Sequence, residues 1–432
     1  MLVEPSSRDT RLGLYAGASG PLTANAYYRL EVPLKTAAEL GLIEYIFDGQ
    51  NTSQGWWTPQ QRALWAAASD VHLYFMPASK TLLKNWEAIR ALPPMPDGEG
   101  ILVYPPSMVF DADDNLNAVS PFADTFVRLG TRAPDGTLLK PGDRIMIEDP
   151  SGSGEHIPLW EDGGTYGSST FDIARNLETV HSVHEIAQAA DAVTVTCERL
   201  AQVYREENKI TKPIYVYPNC MRPDDFPRVD LAPHPDEVRI LWQGGASHFE
   251  DWFPLREAAG RVARKYPHTK WIVWGTMWKS VAKFIPEAQF EFLPWMNFER
   301  YFSRLVTIGH DINLAPLQRT RFTECKSAIK FYEASLIHEP AVTLASNTPP
   351  YDEIQENETG LLFSSPEEFE TKLGALIEDA TLRKRLASNA KDWVLTHRNA
   401  YREVPKLVEF WRSLRPVPPK IVTPSLVPNL LP

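Results

Sequence analysis

Between Arg321 and Ser346 the chain reads RFTECKSAIKFYEASLIHEPAVTLAS, and Lys326, Lys330 and Glu333 recur in it at steps of four and three residues. That spacing puts the three on one helical face. Cys325, Ala328, Ile329, Tyr332 and Leu336 fall on another face, so the pattern predicts a helix over 324–337, with Thr323 as N-cap and Glu324 in its first turn. Cations near a helix start suit a diphosphate, because first-turn amides and basic side chains all donate to phosphate oxygens; Arg319 and Arg321 stand just ahead of it. A carboxylate two turns further on, Glu333, suits a vicinal diol such as a ribose, since it accepts from two hydroxyls. The alternative is a solvated face with one Lys330–Glu333 pair.

Other stretches carry further candidates. ILWQGGASHFEDW (240–252) sets Gly244 and Gly245 after an apolar run, with His248 in the same loop, and LGLYAGASG (12–20) does likewise with Gly17 and Gly20. Such glycines admit a ligand close to the backbone or simply make a tight strand-to-helix turn. Neither loop has GxGxxG spacing. VFDADDNL places Asp111, Asp113 and Asp114 after a strand. Hard oxygens there would suit Mn²⁺ or Mg²⁺, while the other reading makes them acceptor-side carboxylates, including a base, or a helix cap. The 10 histidines include no HExxH pair, and three scattered cysteines form neither a disulfide framework nor a zinc pattern.

The elements that must position these residues alternate twice. Apolar runs at 12–18, 43–48, 71–77, 101–110, 192–197 and 214–219 read as strands, with helices over 27–40, 59–69 and 177–189. Segment 128–170 is rich in Gly, Pro and Asp and reads as an extended loop or β-ribbon insertion. After a Pro- and Asp-dense break at 222–238, strands are expected at 238–244, 270–275, 290–294, 311–317, 340–346 and 360–363, with closing helices at 366–378, 380–396 and 402–413. This order implies two doubly wound α/β domains facing each other across a cleft, 1–228 and 229–414, and a proline-punctuated tail over 415–432. At 43% hydrophobic and 23% charged residues, the composition is that of a globular protein. A net charge of -11 argues against a nucleic-acid coat while leaving room for a local basic groove. No apolar run nears the roughly 18 residues of a membrane span. MLVEPSSRDTR at the start lacks the apolar core of a secretion signal, so a cytoplasmic setting is expected.

KSAIKFYEASLIHEPAVTLASNTPPYDEIQENETGLLF resembles the donor-binding segment of GT-B glycosyltransferases, in particular the retaining group called family 4. ILWQGGASHFEDW is similar to that group's glycine loop, and WIVWGT and FEFLPW to the strands beside its nucleobase pocket. The resemblance implies that Glu333 binds the nucleotide ribose and that Lys326 and Ser327 lie near the diphosphate or sugar. Gly244 and Gly245 would approach the phosphates, and Pro294 and Trp295 would border the base. Two departures stand out: the acid expected at Cys325 is at Glu324 instead, and the usual Arg and Lys pair of the glycine loop is missing. Arg319, Arg321, Lys326 or Lys330 is then left to neutralise the leaving diphosphate.

The resulting expectation is an enzyme that moves a sugar from a nucleotide-diphosphate sugar, such as a UDP-sugar, to a hydroxyl acceptor, with retention and without a metal. The second domain would hold the donor, with Lys326, His248 and Asp113 in catalytic roles. Gly17, Gly20, Asp111 and Asp114 would line the acceptor side. The acceptor would be a glycan, a small metabolite or a hydroxymethylated base in DNA, with no integral membrane association. A sugar-nucleotide epimerase and a non-catalytic nucleotide-sugar-binding protein are the rival classes.

Overall fold

A computed structural model describes residues 12–18, 24–48, 69–76, 80–96, 102–123, 125–148, 155–231, 234–245, 248–276, 279–337 and 339–415. Residues 59–68 of the expected helix at 59–69, and the residue Gly20, lie outside the described residues.

Two six-stranded parallel sheets organise the chain. The first contains β1 (Leu12–Ala18), β2 (Ile43–Asp48), β3 (Val71–Phe75), β4 (Ser107–Ala112), β5 (Ala192–Val195) and β6 (Ile214–Val216), in the order β6-β5-β4-β3-β1-β2. The second contains β7 (Val238–Gly244), β8 (Thr269–Gly275), β9 (Phe290–Leu293), β10 (Ile312–Ala315), β11 (Val342–Ser346) and β12 (Leu361–Phe363), in the order β9-β8-β7-β10-β11-β12. Their central strands are continuous apolar runs because helices cover both faces; β3 and β5 are buried along their whole length. In such sheets ligands bind beyond the carboxyl ends of the strands where the order reverses. Those points fall between β1 and β3 in the first sheet and between β7 and β10 in the second.

Differences from the sequence reading have local causes. The 101–110 run splits into Leu102–Val103 and β4, with the two prolines Pro105 and Pro106 between them. The 128–170 insertion contains a β-ribbon, an antiparallel pair of Arg144–Glu148 with His156–Glu161. The last helix, Ala400–Ser413, crosses the expected domain division: it packs on Val32–Glu39 of the first domain, and Phe410 stacks on Tyr215 at 4.6 Å.

The expected helix over 324–337 is in fact two pieces. Thr323 does not cap it; its hydroxyl donates to Gln318 O at 2.6 Å and accepts from Thr320 N at 2.9 Å, closing a separate turn over Thr323–Cys325. Lys326 is extended, and the helix proper runs only over Ile329–Leu336. Lys330 and Glu333 share that helix, whereas Lys326 stands before it.

One buried ion pair ties the first domain together. Arg29, in a π-helical turn over Tyr27–Glu31, donates to both carboxylate oxygens of Asp111 at 2.8 and 2.7 Å and to Tyr217 O at 2.5 Å. Breaking such a pair strands a charge away from water. Arg29→Met is therefore expected to lower stability by about 3–5 kcal/mol in denaturant titration, and wild-type stability in that variant would refute the assignment.

Candidate active site

The helix after β1 and the helix after β10 meet where the two sheets face each other. At that junction lies Glu333, 2% exposed. Its Oε1 accepts from Tyr28 Oη of the first domain at 2.5 Å. Its Oε2 accepts from Gln243 Nε2 at the end of β7 at 2.8 Å and from Tyr301 Oη at 2.7 Å. Trp274 of β8 stacks on the Tyr301 ring at 4.9 Å and fixes its direction. Burial pushes the Glu333 carboxyl up to about 7, against the pull of the three hydrogen bonds and Lys330.

Around this centre the predicted residues disperse into distinct roles. Lys326 Nζ reaches Asp114 Oδ1 at 3.2 Å across the cleft and lies over the Phe322 ring. Arg321 is engaged by Glu207 of the first domain at 2.5 Å, and Arg319, 73% exposed, by Glu324 at 2.7 Å. Ser327 is half-buried beside Lys326. His248 Nδ1 lies 2.6 Å from Asp251 Oδ2, and Lys330 Nζ stands 3.2 Å from His248 Nε2. A Cβ on Gly244 would come within 2.8 Å of both the His248 and Trp242 rings, so this glycine makes room for His248. One on Gly245 would meet only Trp295, at 3.6 Å. Pro294 and Trp295 are exposed beyond β9, with Trp295 Nε1 donating to Thr276 Oγ1 at 3.2 Å.

On the acceptor side, Asp111 is occupied by Arg29 and by the Thr194 hydroxyl, which donates to it. Asp113 is buried, its Oδ1 has no hydrogen-bond partner among the described residues, and burial together with Asp114 raises its carboxyl well above the usual range. That direction favours the protonated form and counts against Asp113 as a ready base. Gly17 is buried in β1, in register with Asp48 and Tyr74. Among the described residues no group of three or more His, Cys, Asp or Glu converges to hold a metal ion, and no helix is long and apolar enough to cross a membrane.

Tyr28, Gln243, Tyr301 and Asp251 were not singled out from the sequence. For Asp251 a signal existed, its i+3 spacing from His248; Tyr28 and Tyr301 lie far along the chain and only the fold brings them to Glu333.

A carboxyl raised by folding binds protons that the unfolded chain releases, so its contribution falls as pH rises from the unfolded value of about 4.5 towards 7. Glu333→Gln removes that loss, since Gln243 Oε1, without a partner among the described residues, can turn and accept from the new amide. The variant is expected to gain up to about 3 kcal/mol at pH 8 and little at pH 4.5, measured by denaturation at both pH values. An equal effect at both would contradict it.

No protein-family model matches the sequence, and neither does any curated protein. Solved structures do match. A glycosyltransferase from Rickettsia africae ESF-5 aligns over 93% of this chain and 98% of its own at 12% identity, with a TM-score of 0.56. Sucrose-phosphate synthase from Thermosynechococcus elongatus aligns over 93% and 98% at 10% identity, with a TM-score of 0.55. Anabaena HepE, solved with UDP and glucose, aligns over 93% and 99% at 11% identity, with a TM-score of 0.54. Two parallel-sheet Rossmann-like domains in this arrangement, shared over nearly the whole chain, give the protein the GT-B fold.

Proposed function

We propose that the chain is a glycosyltransferase moving a sugar from a nucleotide-diphosphate sugar to a hydroxyl of a glycan, with retention of the anomeric configuration and no metal requirement. The observation that carries the reading is Glu333, a buried carboxylate beyond the carboxyl ends of β7 and β10, where an open parallel sheet takes its ligand. Oε2 already accepts from Gln243 and Tyr301, while Oε1, with two lone pairs and a single donor in Tyr28, suits the hydroxyls of a ribose. Of three structures with the same fold, one is a glycosyltransferase and one a sucrose-phosphate synthase by name, and HepE was solved with UDP and glucose.

In this reading the donor's ribose takes the place on Glu333 Oε1 now held by the Tyr28 hydroxyl. Pro294 and the exposed Trp295 ring border the base, which stacks on aromatic faces. The acceptor enters from the first domain, past Asp113 and Asp114. Closing the two domains excludes water from the anomeric carbon, so that transfer outruns hydrolysis.

The test has two stages. Nucleoside diphosphates titrated in EDTA should bind, and Glu333→Ala should weaken that binding by about 1–3 kcal/mol, the range for losing a charged hydrogen-bond partner. Radiolabelled nucleotide sugars with oligosaccharide acceptors should then yield a product one sugar heavier. Unchanged affinity in the variant would remove Glu333 from the ribose, and epimerised sugar without transfer would favour the epimerase.

A further inference from the structure

Four basic side chains stand near the carboxyl edge of β10, and three already face a carboxylate: Arg319 with Glu324, Arg321 with Glu207 and Lys326 with Asp114. Lys330 forms no ion pair among the described residues. Its ammonium instead stands 3.2 Å from His248 Nε2, while His248 Nδ1 lies 2.6 Å from Asp251 Oδ2. Asp251 is itself fixed, accepting Gln318 N on Oδ1 at 2.6 Å.

This chain of contacts has only one consistent assignment of hydrogens. An ammonium has no lone pair, so Lys330 must donate, and Nε2 must accept. The hydrogen of the neutral ring then sits on Nδ1 and goes to Asp251. Burial, and next the charge of Lys330, push His248 down to about 4, which keeps the ring neutral. Gly244 is part of the same device, because any Cβ there would strike the ring.

We propose that Asp251, His248 and Lys330 form a positioning relay that holds the Lys330 ammonium ready for the diphosphate of a nucleotide ligand. This rests on the nucleotide-sugar reading and deepens it. Lys330 touches the ligand; His248 and Asp251 act through Lys330 and transfer no proton. Among the described residues the ammonium has no ion-paired carboxylate, and the ligand brings the missing charge. Burial lowers Lys330 to about 8, with Asp251 and Glu333 raising it, Lys326 lowering it and the neutral His248 facing it. An anion that needs this proton therefore binds fully below that pH and progressively less above it.

The experiment titrates inorganic pyrophosphate, and ADP, GDP and UDP, into the full chain and into Lys330→Gln by calorimetry across about pH 6.5–9.5. The substitution is expected to weaken binding about tenfold or more at neutral pH, the scale of one hydrogen bond to a charged group. The wild-type to variant ratio, in which the ligand's own titration cancels, should fall towards one above pH about 8. Lys330→Arg keeps its proton throughout and should bind with no such fall, a readout that survives poor folding of the Gln variant. Asp251→Asn removes a charge that raises the Lys330 value and should move the midpoint to lower pH, which a merely structural aspartate would not do. A ratio of one at every pH overturns the relay. Nucleotide binding indifferent to Lys330 removes the relay and leaves the nucleotide reading; Lys330-dependent pyrophosphate binding without any nucleotide bound does the reverse.

Discussion

The junction of the two domains is organised around one carboxylate kept from water. Glu333 accepts hydrogen bonds from Tyr28, Gln243 and Tyr301, drawn from three separate parts of the chain. Burying an ionised carboxylate without donors costs several kcal/mol. The three donors offset part of that, and the rest shows as a carboxyl raised to about 7. Each donor in turn constrains its surroundings. Gln243 needs β7 to end where it does, Tyr301 needs the Trp274 ring beneath it, and Tyr28 needs the π-helical turn that also aims Arg29 at Asp111. π-Turns within helices recur at functional sites, and here one turn serves both the first domain's core and the cleft.

Around that centre, charge is distributed differently from what a one-dimensional reading suggests. Arg321 and Lys326, both plausible ligand cations, instead meet Glu207 and Asp114 of the opposite domain. Asp352 of the second domain likewise meets Arg199 of the first at 2.5 Å. Backbone bonds close the other side: Met221 N donates to Arg398 O at 2.7 Å and Ala400 N to Met221 O at 2.8 Å, which leads the last helix back to the first domain. The two halves are thus joined by backbone at the Met221 crossing and by side-chain ion pairs elsewhere.

The strands were legible because each is a short, nearly uninterrupted apolar run, the pattern of a sheet covered on both faces. Doubly wound domains followed from their alternation with helices, and the exposed ribbon from its Gly and Pro content. Less legible was anything set by partners far away in the chain. Lys326, Lys330 and Glu333 have helical spacing, yet the Thr323 hydroxyl closes the turn before Lys326 and detaches it from the helix. Asp111 looked like a site residue because it follows a strand beside other acids; only the fold reveals Arg29, 82 residues earlier, filling both its oxygens. Gly244 looked like room for a ligand, and its missing side chain makes room for His248 instead. Glu333 was singled out by position, but its hydrogen-bond partners were not, since a tyrosine carries no spacing signal that tells a core ring from a cleft hydroxyl.

The forces at the cleft also bear on how it opens. Arg199, Arg321 and their acids are each a third or more exposed, and such pairs contribute about 0–1 kcal/mol. Closure therefore rests more on the apolar contact of Tyr27 with Phe298 and Phe302, at 5.0 and 5.2 Å, than on those pairs. At the centre the balance runs the other way. Opening breaks the Tyr28 hydrogen bond but returns water to a carboxylate that burial disfavours, so the loss on one side is partly recovered on the other. A ligand with two hydroxyls relieves the same carboxylate without water. Under the proposed function, the carboxylate that burial disfavours is the group such a ligand would satisfy, and that difference would couple closure of the domains to binding.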